Sequence, residues 1–263
     1  MRHAQPNLRP PVASAVSFVH RHGGVAAVGA LTSAGHTRAV IESGVRAGWL
    51  TRVRRGWYAT VDAPADVVRA VRVGGALTAA SVARLSSLWL LDDPMLHVRV
   101  PANAARLRAP DDGSMPLDPS AHGVCLHYRD GGGAPGDSPA RDGLIRSLSE
   151  MFRCAGIVPA VVALESALNR GVLPMNAIDD VRALLPAWGR RPLALVSPDS
   201  DSGLETIARL LLHRVRAQVR TQVWIEGVRR VDLLVGDRLV LELDGRAFHS
   251  GRDFERDREQ DLE

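Results

Sequence analysis

The chain of 263 residues contains no lysine: its 33 basic side chains other than histidine are all arginine. Any mechanism that needs a lysine is therefore excluded. Together with the abundance of Ala and Val, this points to a GC-rich coding sequence before it points to a function. Aromatic residues make up only 4% of the chain, so its core must be aliphatic. No apolar run is long enough to span a bilayer. The opening MRHAQPNLRPP has no signal-peptide hydrophobic stretch, and the expected location is the cytosol. Cysteine occurs only at Cys125 and Cys154, and neither lies in a metal-type spacing. Two reduced thiols are expected, not a disulfide scaffold.

What is present suffices for a core. Hydrophobic residues are 46% of the chain, and the length allows one large domain or two to three small ones. The net charge of +4 is modest, so its distribution matters more. Between Met1 and Val61 the bases are Arg2, Arg9, Arg21, Arg38, Arg46, Arg52, Arg54 and Arg55, and the only acid is Glu42. A small module facing a polyanion has this composition.

Three regions are expected, at 1–61, 62–199 and 200–263. In the first, Pro11–His22 reads as a helix ended by Gly23-Gly24, and a second helix runs through Leu31 to near Gly35. A third spans Thr37–Gly48, and Leu50–Val53 and Trp57–Val61 alternate as a hairpin around Arg54-Arg55-Gly56. Three helices and a hairpin predict a winged helix-turn-helix. Its last helix would enter the major groove with Thr37, Arg38, Glu42 and Arg46 outward, while Arg52, Arg54 and Arg55 on the wing would meet phosphates or the minor groove. Use of the same module for protein contact stays open.

The middle region reads as mainly helical, with helices at Asp66–Val73, Thr78–Leu90, Ala140–Ala155, Val158–Arg170 and Asn176–Leu185. Met95–Val100 and Val124–Tyr128 look like strands, and 130–139 is a Gly/Pro-rich loop. His97 and His127 fall inside the strand patterns and are expected to be structural.

The third region opens with a helix from Ser202-Gly203 through Val215. Strands are expected at Gln218–Ile225, Arg229–Val235 and Arg238–Leu243, then a charged helix over Asp253–Glu263. Val231, Leu233, Val235, Leu239, Leu241 and Leu243 share odd parity and hence one face. The other face carries Asp232, Leu234, Val240, Glu242 and Asp244, and a three-residue loop at Gly236-Asp237-Arg238 would set Asp232 opposite Glu242. Carboxylates gathered on one side repel until a divalent cation such as Mg²⁺ binds them, and bound metal can activate water. An ordinary solvent-facing strand face is the other reading.

The segment HRHGGVAAVGALTSAGHTRAVIESGVRAGWLTRVRRGWYATV resembles the N-terminal winged-helix domain of AbiEi-type antitoxins, which bind their own promoters as repressors. The stretch from Ser202 onward, with SGLE, RRVDLLVGDRLVLELDG, FH and FERDRE, resembles very-short-patch-repair (Vsr-like) endonucleases of the PD-(D/E)XK fold. That resemblance implies metal binding by Asp232, Glu242 and the Leu243 carbonyl. It also implies water activation by His249, completion of the site by Glu205, and Asp244 where restriction enzymes carry lysine. The fold normally runs on into another strand and helix, so an αβββα core lacking its last strand is expected: either the chain or its gene is cut short, or something else, such as a partner, covers the sheet edge. The resulting expectation is a mixed α/β protein that hydrolyses DNA phosphodiesters with Mg²⁺. The alternatives are a non-catalytic repressor or antitoxin of a type IV AbiE-like pair, bound to a cognate toxin, and an RNA-directed nuclease.

Overall fold

The computed structural model describes residues 9–129, 134–226 and 230–243. The protein is mixed α/β, and its described residues form three sheets of three strands each. The chain divides into two compact units, Met1–Ser87 with Asp92–Cys154 and Leu88–Leu91 with Ala155–Glu263. The break after Cys154 falls inside the expected middle region, not at either end of it.

The first unit begins with α1 (Pro10–Arg21), whose two leading prolines sit where backbone N–H groups have no helical partner anyway. Gly23 and Gly24 both take positive φ and turn the chain into β1 (Val25–Ala27). The sequence reading missed this three-residue strand; it is too short to show alternation. Then come α2 (Val28–Ser33), α3 (Arg38–Arg46), β2 (Leu50–Arg54) and β3 (Trp57–Thr60). The sheet runs β1-β3-β2, antiparallel throughout. Ala15, Val19, Leu31, Ile41 and Leu50 fill the core beneath it.

The other face of this hairpin is also covered. Val25, Val53 and Ala59 share a second core with α4 (Ala65–Val73) and with Leu96, Val98 and Val100. Residues 9–60 are therefore packed into the rest of the unit. Next come β4 (Ala76–Leu77), α5 (Ala79–Leu85), β5 (Leu96–Val100), β6 (Val124–Tyr128) and α6 (Leu144–Cys154). Two of these helices are shorter than expected. α5 ends at Leu85, with Ser86 as its C-cap and Ser87 at φ +54°. α6 starts late because Ala140 and Asp142 exchange backbone hydrogen bonds with Leu77 and so extend the sheet. Gly75 passes so close to β5 that a Cβ there would lie 1.9 Å from the Arg99 carbonyl oxygen.

β5 is buried on both faces. Leu96, Val98 and Val100 enter the aliphatic core, so His97 and Arg99 point the other way. β6 runs parallel to β5 with Cys125 beside His97 and His127 beside Arg99. The Asp142 side chain is fully buried and answers this polar face. It accepts from Arg99 Nε at 2.8 Å and Thr78 Oγ1 at 2.6 Å, and also pairs with Arg129.

The second unit contains α7 (Ile157–Asn169), α8 (Ala177–Leu184), α9 (Ala187–Arg190) and α10 (Gly203–Arg214). An antiparallel sheet β7 (Val219–Trp224), β8 (Arg230–Val235) and β9 (Leu239–Leu241) follows. Glu165 of α7 is buried, receives Thr206 Oγ1 at 2.6 Å and the Ser197 N–H at 2.8 Å, and pairs with Arg209 of α10. Burial pushes its carboxyl up, against these partners.

Removing the Asp142 carboxylate would leave the buried Arg99 without its ion-pair partner and Arg129 with Glu150 alone. Asp142→Ala is expected to cost about 3–5 kcal/mol in urea unfolding followed by circular dichroism, the usual loss when one partner of a buried ion pair is deleted. A loss below about 1 kcal/mol would mean that the network contributes no more than a surface pair.

Candidate nucleic-acid interface and carboxylate hairpin

Thr37 begins the expected recognition helix as its N-cap, its hydroxyl accepting the Val40 N–H at 3.4 Å. Val40, Ile41 and Val45 face inward, as the helical period requires. Thr37, Arg38, Glu42 and Arg46 are all exposed. On the hairpin, Arg52, Arg54 and Arg55 are exposed while Val53 between them is buried. A register shift between Arg52 and Arg54 marks an irregular strand, a common device for re-aiming side chains. Arg54 folds back and donates from Nη1 to the Val71 carbonyl at 3.3 Å. Among the described residues, Arg38, Arg46, Arg52 and Arg55 form no ion pair with a carboxylate. They are an arginine surface without internal neutralisation.

In the second unit the β8–β9 register pairs Leu233 with Leu241, Leu234 with Val240 and Val235 with Leu239. The connection is Gly236-Asp237-Arg238, with Gly236 at φ +59°. Carried one step further, this register sets Asp232 opposite Glu242. Val231 and Leu233 are buried on the odd face; Leu241 is half-buried and Leu239 exposed. Asp232 accepts the Leu243 N–H at 2.8 Å. Leu243 thus meets Asp232 through its N–H, while the resemblance gave its carbonyl a metal-binding role. Glu242 is exposed. Asp244 and His249 lie outside the described residues.

Glu205 is 3% exposed, and its position follows from local chemistry. Ser202 caps α10 by accepting the Glu205 N–H at 3.2 Å, and Glu205 Oε2 reaches back to the Asp201 N–H at 2.9 Å, close to a capping box. The same oxygen accepts from Gln222 Nε2 at 2.6 Å. Gln222 stands at the β7 position that faces Asp232. It takes φ +53° and drops out of the β7–β8 ladder. A non-glycine residue held there costs about 1–3 kcal/mol, and such outliers gather at functional sites. Glu205 on α10 thus reaches Gln222 of β7, and Asp232 of β8 and Glu242, next after β9, follow in turn.

They do not converge on one point. Among the described residues, the group of three metal-type donors whose ligand atoms all lie within 4.8 Å of one another is His97, Cys125 and His127. The sequence reading took these histidines as structural and the cysteines as plain thiols. His97 Nδ1 lies 3.1 Å from His127 Nε2, and Cys125 Sγ lies 3.7 Å from that same Nε2. α6 covers this face and brings Cys154 Sγ to 3.8 Å from His97 Nδ1. One turn earlier it places Glu150 Oε2 3.3 Å from His127 Nδ1. Hydrogen bonds from Cys154, then His127 and His97, hold the Cys125 thiol far below its ordinary value. Burial works against the charged form of His127, but Cys125 and Glu150 outweigh it and raise its pKa to about 9. Two clues to the cluster were legible in advance: polar residues at alternate positions in two otherwise apolar strands, and Glu150 and Cys154 one helical turn apart.

No protein-family model matches the chain, and no curated protein matches it.

Proposed function

We propose that this protein binds duplex DNA through a winged helix formed by residues 10–60. One observation carries the reading: α3 and the β2–β3 hairpin each display exposed arginines, on an α1-β1-α2-α3-β2-β3 arrangement in which β1 closes the sheet against β3. That is the order in which a winged helix presents a recognition helix and a wing. Arg38 and Arg46 on α3 would reach base edges, and Arg52 and Arg55 would neutralise phosphates.

The second unit is proposed to hydrolyse DNA phosphodiesters with Mg²⁺. Support comes from the order α10-β7-β8-β9 and from the register that sets Asp232 against Glu242. Those two carboxylates would hold the cation, which supplies an acidified water and charge stabilisation at the phosphate. Gln222 would fix Glu205 beside them, and His249 would orient the water or accept its proton.

A non-catalytic repressor or antitoxin is the second reading, and one observation favours it. Glu205 and one oxygen of Asp232 are already satisfied by protein donors.

Full-length protein should retard duplex DNA, and log affinity should fall linearly with log salt. Arg55→Ala should weaken binding to all sequences alike and flatten the salt slope by about 1. Arg54→Ala should do less, because its guanidinium is turned toward Val71. Arg38→Ala should change preference among sequences. No shift at low salt would refute the DNA-binding reading.

Supercoiled plasmid should be cut with Mg²⁺ and left intact with EDTA. Asp232→Asn should abolish cutting and leave retardation unchanged, since asparagine keeps the shape and removes the charge. Retardation with no cutting by the parent chain would move the conclusion to the repressor.

A further inference from the structure

We propose that His97, Cys125, His127 and Cys154 form a four-coordinate Zn²⁺ site in the first unit, a structural staple between β5, β6 and α6.

Three of the four ligands are already gathered, and the fourth touches one of them. Zn–N bonds of about 2.0–2.1 Å and Zn–S bonds of about 2.3 Å at tetrahedral angles give edges of about 3.3 Å between nitrogens and about 3.6 Å between nitrogen and sulfur. The corresponding separations are 3.1 Å for His97 Nδ1 to His127 Nε2, 3.7 Å for Cys125 to His127 and 3.8 Å for Cys154 to His97. These three of the six edges are within about 0.3 Å of those values. His97, Cys125 and His127 already gather within 4.8 Å of one another, and Cys154, which reaches His97, has to draw inward to complete the set.

The outer groups fix which nitrogens face inward. His97 Nε2 lies 2.9 Å from Asp93 Oδ2, and His127 Nδ1 lies 3.3 Å from Glu150 Oε2. Each carboxylate orients the ring it touches, so His97 Nδ1 and His127 Nε2 are the nitrogens that face inward and would ligate the ion. These two nitrogens lie 3.1 Å apart, with Cys125 Sγ 3.7 Å from one and Cys154 Sγ 3.8 Å from the other. A cation between them would replace the hydrogen bond they share with coordination to both rings.

The carboxylates are themselves anchored. Asp93 Oδ1 accepts the Met95 N–H at 3.1 Å, and Glu150 Oε1 lies 3.1 Å from Arg129 Nε. Metal-bound histidines almost always carry an outer partner of this kind. Two thiolates and two imidazoles in tetrahedral array select Zn²⁺ among the common divalent ions, and a full set of protein ligands makes the site structural. Binding takes both sulfurs as thiolates and both imidazoles neutral, so whatever protons these four groups carry go to solvent, and the paired thiolates cancel the charge of the ion. Three ligands lie in the body of the unit, while Cys154 at the end of α6 is exposed and opens the site to exchange.

The spacing departs from zinc knuckles, in which two cysteines lie a few residues apart on one turn. Here Cys125 and His127 are two apart because a strand repeats every second residue, and His97 joins them through parallel strand pairing.

The test uses the full-length chain, purified with reductant and stripped by chelator. Zn²⁺ is titrated against a chromophoric chelator, and Co²⁺ is used as the spectroscopic probe. Expected are one ion per chain, the intense visible bands of tetrahedral Co²⁺ with a thiolate-to-cobalt charge-transfer band, and a rise in Tm on loading. Cys125→Ser and Cys154→Ser should each remove or shift the charge-transfer band. Asp93→Asn, at the margin of the site, should fold and weaken Zn²⁺ about 10–100-fold while still saturating with one ion. Three results would overturn the proposal: less than half an ion per folded chain, a pale octahedral Co²⁺ spectrum, or Zn²⁺ affinity unchanged in both cysteine variants. A Cys125–Cys154 disulfide that persists in reductant beside saturating Zn²⁺ would overturn it as well.

Discussion

A sheet buried on both faces can carry polar side chains on one of them only if each meets a partner of matching charge or hydrogen-bonding capacity. The first unit is organised by that constraint. β5 buries all five of its residues, and two of them are His97 and Arg99. β6 adds His127 beside Arg99. Asp142 answers the arginines, and Glu150 and Asp93 answer the histidines. Each acid comes from a different place: a short extended segment, α6, and the turn before β5. The orientation of α6 follows. It must present Glu150 and Cys154 to the sheet, and these lie one turn apart on one face of the helix.

The second unit solves a related problem with fewer charges. Glu165 is placed between α7 and α10 and takes donors from Thr206, Ser197 and Arg209. α10 then carries Glu205 at its own beginning, within reach of Gln222 on the sheet. One helix therefore connects the interior of the unit to the strand face where Asp232 lies. A site built along such a line is assembled from rigid elements, which favours precise placement.

Features with a strong local period were legible from the chain alone. The amphipathic α3, the arginine-bearing hairpin and the equal-and-opposite register of β8 and β9 all follow from spacings of 3.6 or 2. Shorter pieces were not: β1 and β4 have three and two residues, and no alternation shows at that length. The His–Cys cluster was missed for a different reason. Its members are brought together by parallel pairing of strands 28 positions apart in the chain, since His97 stands beside Cys125. The alternating polar residues of each strand are visible locally, but which strand pairs with which, and in what register, is not. Glu205 shows one residue with two readings: Ser202-x-x-Glu205 is a helix-start signal, and the nuclease resemblance implied a metal site at the same residue.

Gly75 bears on a wider question, that of descent. Its Cα faces the Arg99 carbonyl so closely that even a methyl group would occupy the oxygen's place. Gly143 meets the Pro135 carbonyl in the same manner, at 2.0 Å. Surface arginines can be exchanged one by one as a lineage diverges, and aliphatic residues can trade volume with their neighbours. A backbone pressed against another backbone allows no such trade. In a lineage whose sequences have drifted beyond easy alignment, these two bare positions would outlast most of the residues around them.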